Sequence, residues 1–275
     1  MSSRFGNVEP TSLDIETRIC NVKLFGVKGD GETDDTASIQ KAINTGEKNI
    51  FIPDGTYMIN ALTSILPKAN QKIIMSKGAV LKAIPNDSGN YAIIKLSNVS
   101  NVSITGGTIL GERSEHTGIT GQQGFGILIT GNTDTVTVHD ITLKDCWGDG
   151  IYIGSLTYPA KNIIIDNVVC DNNRRQGISI TYAEDINIRN SIFKNTNGSN
   201  PQAGIDIEPN DKCYVKNVMI EDSYFLDNVG YGIVFTGYNG LYVDNAKISK
   251  CIFANNYKDL LIFGANVTNS GYVDE

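Results

Sequence analysis

Tryptophan occurs once in these 275 residues, histidine twice and proline seven times. The two histidines, His116 and His139, stand alone, with no serine or cysteine at a recognisable spacing. A histidine-driven nucleophile therefore has no support, and both are read as surface residues. The five cysteines are scattered, without a C-x-x-C pair, which argues against a zinc site. An odd, unclustered set also argues against structural disulfides. Cys170 and Cys251 fall at apolar strand positions, where a thiol acts as a small hydrophobe. No apolar run is long enough to cross a membrane as a helix, and Met1 to Pro10 is too polar for a signal peptide. Asp30, Asp34 and Asp35 lack the spacing and closing glutamate of a calcium loop and are read as turn and helix-cap residues. Gly124-Phe125-Gly126 opens no helix, so a dinucleotide site is excluded. The net charge of −7 disfavours nucleic acid and anionic membrane as partners. It leaves an anionic glycan open, because local basic residues can hold one.

What the chain does have is a repeat. Gly-Ile-x-Ile recurs at Gly126, Gly150, Gly177, Gly204 and, with Phe235 closing it, Gly232, at steps of 24, 27, 27 and 28 residues. A sixth, decayed copy, Asp259-Leu260-Leu261-Ile262, follows after 27 more. A fixed period in this range denotes a stack of like supersecondary units. Each period holds short apolar alternations and no room for a helix. In one of them Ile163, Ile165, Val168, Cys170, Ile178 and Ile180 share a face by the two-residue period of strands. Leu143, Cys170, Phe193, Phe225 and Phe253 fall in one slot, which predicts an internal stack of like on like. Asp145, Asn172, Asn195, Asp227 and Asn255 fall at one corner, where such residues tolerate left-handed backbone.

Successive strands one period apart run the same way and must pair in parallel. A flat parallel sheet needs helical crossovers, and these are absent, so the sheet must coil. The reading is an all-β, single-stranded parallel β-helix of one domain. Residues 1–48 form an N-terminal segment with a capping helix, 49–263 about eight coils, and 264–275 a tail. The helix is expected over Asp34 to Ile43, capped by Thr33 or Asp34, with Ile39 and Ile43 turned to the core. No cap is evident after the last coil, which points to a truncated chain, a partner chain or a following domain.

The run Val22-Lys23-Leu24-Phe25-Gly26-Val27-Lys28-Gly29-Asp30-Gly31-Glu32-Thr33-Asp34-Asp35-Thr36, with Ile39-Gln40-Lys41-Ala42-Ile43 and Ile52-Pro53-Asp54-Gly55-Thr56-Tyr57, resembles the start of the pectate lyase superfamily. The stretch Asn172 to Ile180, with Gly204 to Asn210, is similar to its phage tailspike depolymerases. The resemblance implies a right-handed helix that binds or cuts a polysaccharide along its side. It implies a homotrimer if the chain is part of a longer spike. The lack of a signal peptide leaves the location open, fitting a virion or prophage component as well as a cytoplasmically made protein acting outside the cell. It does not say which reaction, since one fold hosts several.

Chemistry is sought where side chains point outward. One outward column reads Leu128, Tyr152, Ser179, Asp206, Val234 and Leu261; the next reads Thr130, Gly154, Thr181, Glu208, Thr236 and Phe263. Asp206 and Glu208, at i and i+2, share one strand face with Cα atoms about 6.5–7 Å apart, a separation suited to the two carboxyls of a glycosidase. Their mutual repulsion would raise one pKa, as a general acid requires. Asp149, two coils toward the N-terminus, is a third candidate, orienting water or sugar. Arg174 and Arg175 offer planar forks for an acidic sugar or phosphate, or partners for the nearby acids. Trp147 offers a ring face, and Tyr152, Ser179 and Tyr182 hydroxyls. The leading expectation is a glycoside hydrolase without cofactor. A uronate lyase, with calcium in reserve, and a non-catalytic glycan-binding or structural spike domain are the alternatives.

Overall fold

A computed structural model describes residues 19–237, 242–270 and 273–274. The polar stretch Met1 to Pro10, and part of the expected tail, lie outside them. The chain coils as a parallel β-solenoid. Seven strands form one flat face: Asn90–Ser97, Gln123–Thr130, Asp149–Ile153, Gln176–Ile180, Ala203–Ile207, Tyr231–Thr236 and Lys258–Phe263. The remaining strands join in an 18-stranded network around the other sides. Strand pairing reaches beyond the span expected for the coils. Ile19–Asn21 pairs with Asn49–Ile52 ahead of it, and Val267–Ser270 pairs with Tyr242–Ser249 behind it.

The interior follows the alternation. Ile163, Ile165, Val168, Cys170, Ile178 and Ile180 are all fully buried. Leu143, Cys170, Phe193, Phe225 and Phe253 lie in register on successive coils. The three phenylalanine rings stack at centroid distances of 5.2 and 4.9 Å. All five thiols are free and buried. Phe225→Ala removes the middle ring of that stack. It should lower stability by about 3–5 kcal/mol, read as a shift in the urea midpoint; a shift near zero would mean that the core closes over the gap.

The repeated glycine has a steric cause. A Cβ on Gly177 would stand 2.4 Å from the carbonyl oxygen of Gly204, and one on Gly204 2.7 Å from that of Gly232. The coils approach too closely there for any side chain. The corner ladder is also as expected: Asp145, Asn172, Asn195, Asp227 and Asn255 all have φ between 53° and 58°. Asn172 donates to Asp145 at 2.6 Å and Asn255 to Asp227 at 3.0 Å, tying coil to coil.

The helix spans Thr36–Asn44 and buries Ile39, Ala42 and Ile43 against the first coils. Its cap differs from the expected one. Asp35, not Thr33 or Asp34, occupies the N-cap, and no acid lies in the first turn. The Asp35 carboxylate instead accepts the backbone N–H groups of Lys28 and Gly29, both at 2.7 Å. Closing the preceding loop outweighs capping. Asp34 accepts the Thr36 N–H at 3.0 Å. No helix among the described residues is long and apolar enough to cross a membrane.

Candidate active site

Cα pairing places Leu128, Tyr152, Ser179, Asp206, Val234 and Leu261 side by side on the seven-stranded face. This is the outward column read from the sequence. Coils about 4.8 Å apart make it a continuous surface. Its middle is less solvated than an outward face suggests: Ser179 is 2% exposed, Asp206 5% and Val234 4%. Glu208, two residues after Asp206, stays exposed.

Asp206 is held from one side only. Its Oδ2 accepts the Gln176 side-chain amide at 3.0 Å, while Oδ1 is buried and has no partner. The Gln176 amide is oriented beyond ambiguity, because its Oε1 accepts the Ala203 N–H at 2.8 Å. Its NH₂ group must therefore face Asp206, which makes Oδ2 the acceptor. Burial pushes the Asp206 carboxyl up to about 7, with the charges of Glu208 and Asp149 adding to it and Arg175 opposing. The Gln176 bond to Oδ2 leaves Oδ1 as the oxygen without a partner.

Asp149 is fully buried and lies off the column, opposite Gln176 at the start of its strand. Arg175 grips it with two bonds, Nε to Oδ1 at 2.7 Å and Nη2 to Oδ2, and Nη2 also reaches Ser179 Oγ at 3.2 Å. Burial works against the Arg175 charge, yet Asp149 and Asp206 outweigh it and raise its pKa. For the Asp149 carboxyl, burial pulls upward and Arg175 downward; the bidentate geometry favours the ion pair. Asp149 and Arg175 are thus spent on each other, and both act on the site through Asp206 and Ser179.

Trp147 differs from its expected role. Both faces of its ring are covered, one by the His116 ring at 3.8 Å and one by the Arg174 guanidinium at 3.9 Å, so it offers no free platform to a sugar. His116 is accordingly not a surface residue. Its side chain is fully buried and bonds Glu112 at 3.0 Å. Glu112, itself buried, also accepts the Tyr91 hydroxyl. His139 is half-exposed beside Asp140 and remains a surface residue. Arg174 also donates to the carbonyls of Gly121 and Trp147. Tyr152 bonds Thr181 at 2.9 Å and tilts onto Phe125. Tyr182, beyond the end of its strand, meets Tyr214 edge-on. The structure gathers Asp206, Glu208, Ser179, Arg175 and Asp149; Trp147 with Arg174, and Tyr182, lie at opposite corners of the face.

Beside the two carboxyls a cleft of about 550 Å³ opens, walled by Tyr231, Tyr257, Val234, Leu261 and the segment Asn200, Pro201 and Gln202. Tyr231 and Tyr257 meet edge-on at 6.0 Å. Neither tyrosine, nor Gln176, stands out by a motif. The signal for Gln176 and Tyr231 is position: each occupies the slot just before a repeat glycine, as Asp149 does. Among the described residues no group of three His, Cys, Asp or Glu side chains is placed to hold a metal.

Comparison with known proteins agrees with this fold. Residues 86–248 match the family model described as a right-handed beta helix region. Residues 19–74 match one described as rhamnogalacturonase A/epimerase, pectate lyase-like. YclG of Bacillus subtilis, itself uncharacterised, is 34% identical over 263 residues, which is 80% of this chain and 45% of that protein. A family 28 exopolygalacturonase of Yersinia enterocolitica superposes with a TM-score of 0.71 at 17% identity, covering 93% of this chain and 57% of that one. A tailspike protein of Acinetobacter baumannii bacteriophage Fri1, a capsular polysaccharide depolymerase, superposes with a TM-score of 0.61 at 16% identity, covering 94% and 53%. The chain spans about half the length of these relatives.

Proposed function

Because the chain belongs to the right-handed β-helix family, with a pectate-lyase-like N-terminal segment, we propose that it acts on a polysaccharide lying along its seven-stranded face and cleaves it as a glycoside hydrolase. The observation that carries this reading is Asp206: a carboxyl lining the cleft, raised by burial to about 7, next to the exposed carboxyl of Glu208. Glycoside hydrolysis needs such an asymmetric pair. Asp206 protonates the leaving oxygen. Glu208, one residue past the end of that strand, acts as base or nucleophile. Gln176 fixes the acid's orientation, and the Asp149–Arg175 pair sets the field in which it titrates. The exopolygalacturonase and the phage depolymerase make a glycan a reasonable class of substrate, while YclG carries no activity to transfer.

A lyase would need a cation to hold a uronate, and both candidate arginines are engaged elsewhere. The hydrolytic reading calls for no metal. The likeness to phage spike proteins supports a homotrimer if this chain is part of a longer spike, testable by sedimentation.

Incubation with a panel of neutral and acidic bacterial capsular, teichoic and plant glycans tests the reading. The expected result is new reducing ends without ultraviolet absorbance from an unsaturated sugar. Absorbing products would establish the lyase, and retention of glycan without cleavage the binding domain. Glu208→Gln should lower the cleavage rate by at least about 100-fold with little change in stability, since the side chain is exposed. Unchanged turnover would remove Glu208 from the mechanism.

A further inference from the structure

The lining of the cleft narrows the substrate. We infer that the cleft beside Asp206 takes an uncharged pyranose and rejects a uronate or other anionic sugar. This rests on the proposed function only in placing a sugar beside Asp206 and Glu208. The walls include Tyr231, Tyr257, Val234 and Leu261, and among the described residues the charged side chains lining it are Asp206 and Glu208. No lysine, arginine or histidine among the described residues lines it.

The two arginines nearby are committed. Arg175 is 14% exposed and closed onto Asp149. Arg174 lies flat on Trp147. Lys258 holds its ammonium over the Tyr257 ring at 5.5 Å and does not line the cleft. A sugar carboxylate entering here would lose its hydration, gain no counter-charge and face Glu208. It would also raise the pKa of Asp206 further. An uncharged pyranose meets none of these costs. Its apolar ring face suits the two tyrosines and Leu261, and its hydroxyls suit the amides of Asn200 and Gln202, which also line the cleft.

The experiment is saturation-transfer NMR of the protein with two sets of methyl glycosides at pH 6.5. One set is uncharged: glucose, galactose, mannose and N-acetylglucosamine. The other holds the uronates of the three hexoses. Transfer to at least one uncharged glycoside is expected, at least about tenfold stronger than to its uronate and lost in Tyr257→Ala. Tyr257 is exposed, so this variant should fold, and circular dichroism checks that it does. Equal or stronger transfer to the uronates, no transfer to any uncharged glycoside, or transfer unaffected by Tyr257→Ala would each overturn the inference. Failure of the hydrolase reading looks different: transfer to an uncharged glycoside persists while no polysaccharide yields reducing ends.

Discussion

Asp206→Asn is expected to abolish glycan cleavage and at the same time stabilise the protein at alkaline pH. The loss should be at least about 100-fold and up to about 10⁴-fold in kcat, the range for removal of a positioned general acid. The gain follows from linkage. The folded-state pKa of Asp206 lies at about 7, above its ordinary value of 3.8. Below the ordinary value both folded and unfolded carboxyls are protonated and the fold carries no penalty. As pH rises from about 4 to 7 the unfolded chain ionises first, so stability falls; above 7 the penalty is constant. Asparagine carries none of it. The melting temperature of the variant should therefore match that of the unsubstituted protein near pH 4 and exceed it at pH 8, by an amount equivalent to a few kcal/mol. The activity of the unsubstituted protein should fall as pH passes through about 7, because the working form is the protonated acid. A variant that is inactive and also less stable at pH 8 would mark Asp206 as a structural residue.

Arg175→Met should destabilise the fold about as much as Phe225→Ala. It leaves Asp149, fully buried, without its partner. Breaking a buried pair from one side costs about 3–5 kcal/mol, because the remaining charge stays desolvated. Part of that cost disappears when Asp149 takes up a proton, so the deficit should be greatest at pH 8 and shrink toward pH 5. Asp149→Asn with Arg175→Met should recover much of the loss. Denaturant midpoints of the two single variants and the double variant at both pH values form the cycle that measures this. Additive losses would show that the two side chains do not stabilise the fold as a pair. The double variant should also cleave with a shifted pH profile, since both groups contribute to the field at Asp206.

The coils could be read from the sequence because each unit touches its neighbours in one fixed way. A residue's slot in the 27-residue period determines its neighbours, which is why Cys170, Phe193, Phe225 and Phe253 were legible as a stack and Asp206 and Glu208 as a pair on one face. Two kinds of information were not periodic. One is how deeply an outward side chain is covered. Ser179 and Asp206 occupy outward slots yet are buried: Arg175 reaches over Ser179, and the Gln176 amide lies against Asp206. The other is where insertions fold. The stretch from Gly111 to Gln122 departs from the repeat, and no period fixes its contacts. It brings His116 onto Trp147, and Arg113 across two coils to Asn172 and three to Asn197. A lone histidine and a lone tryptophan therefore read as surface residue and sugar platform, and the structure turns them into one stack. Gln176 was missed for a third reason: glutamine carries no motif, and its importance lies in the Ala203 N–H that orients it.

The most direct test of the account is the titration of the Asp206 carboxyl itself. Carbon-13 NMR of aspartate-labelled protein, with the resonance assigned by its loss in Asp206→Asn, gives its midpoint. The account predicts a midpoint near 7 that coincides with the alkaline limb of the cleavage rate. A midpoint in the ordinary carboxylate range, below about 5, would contradict it, because Asp206 would then be ionised where the enzyme is asked to work and could not supply the proton.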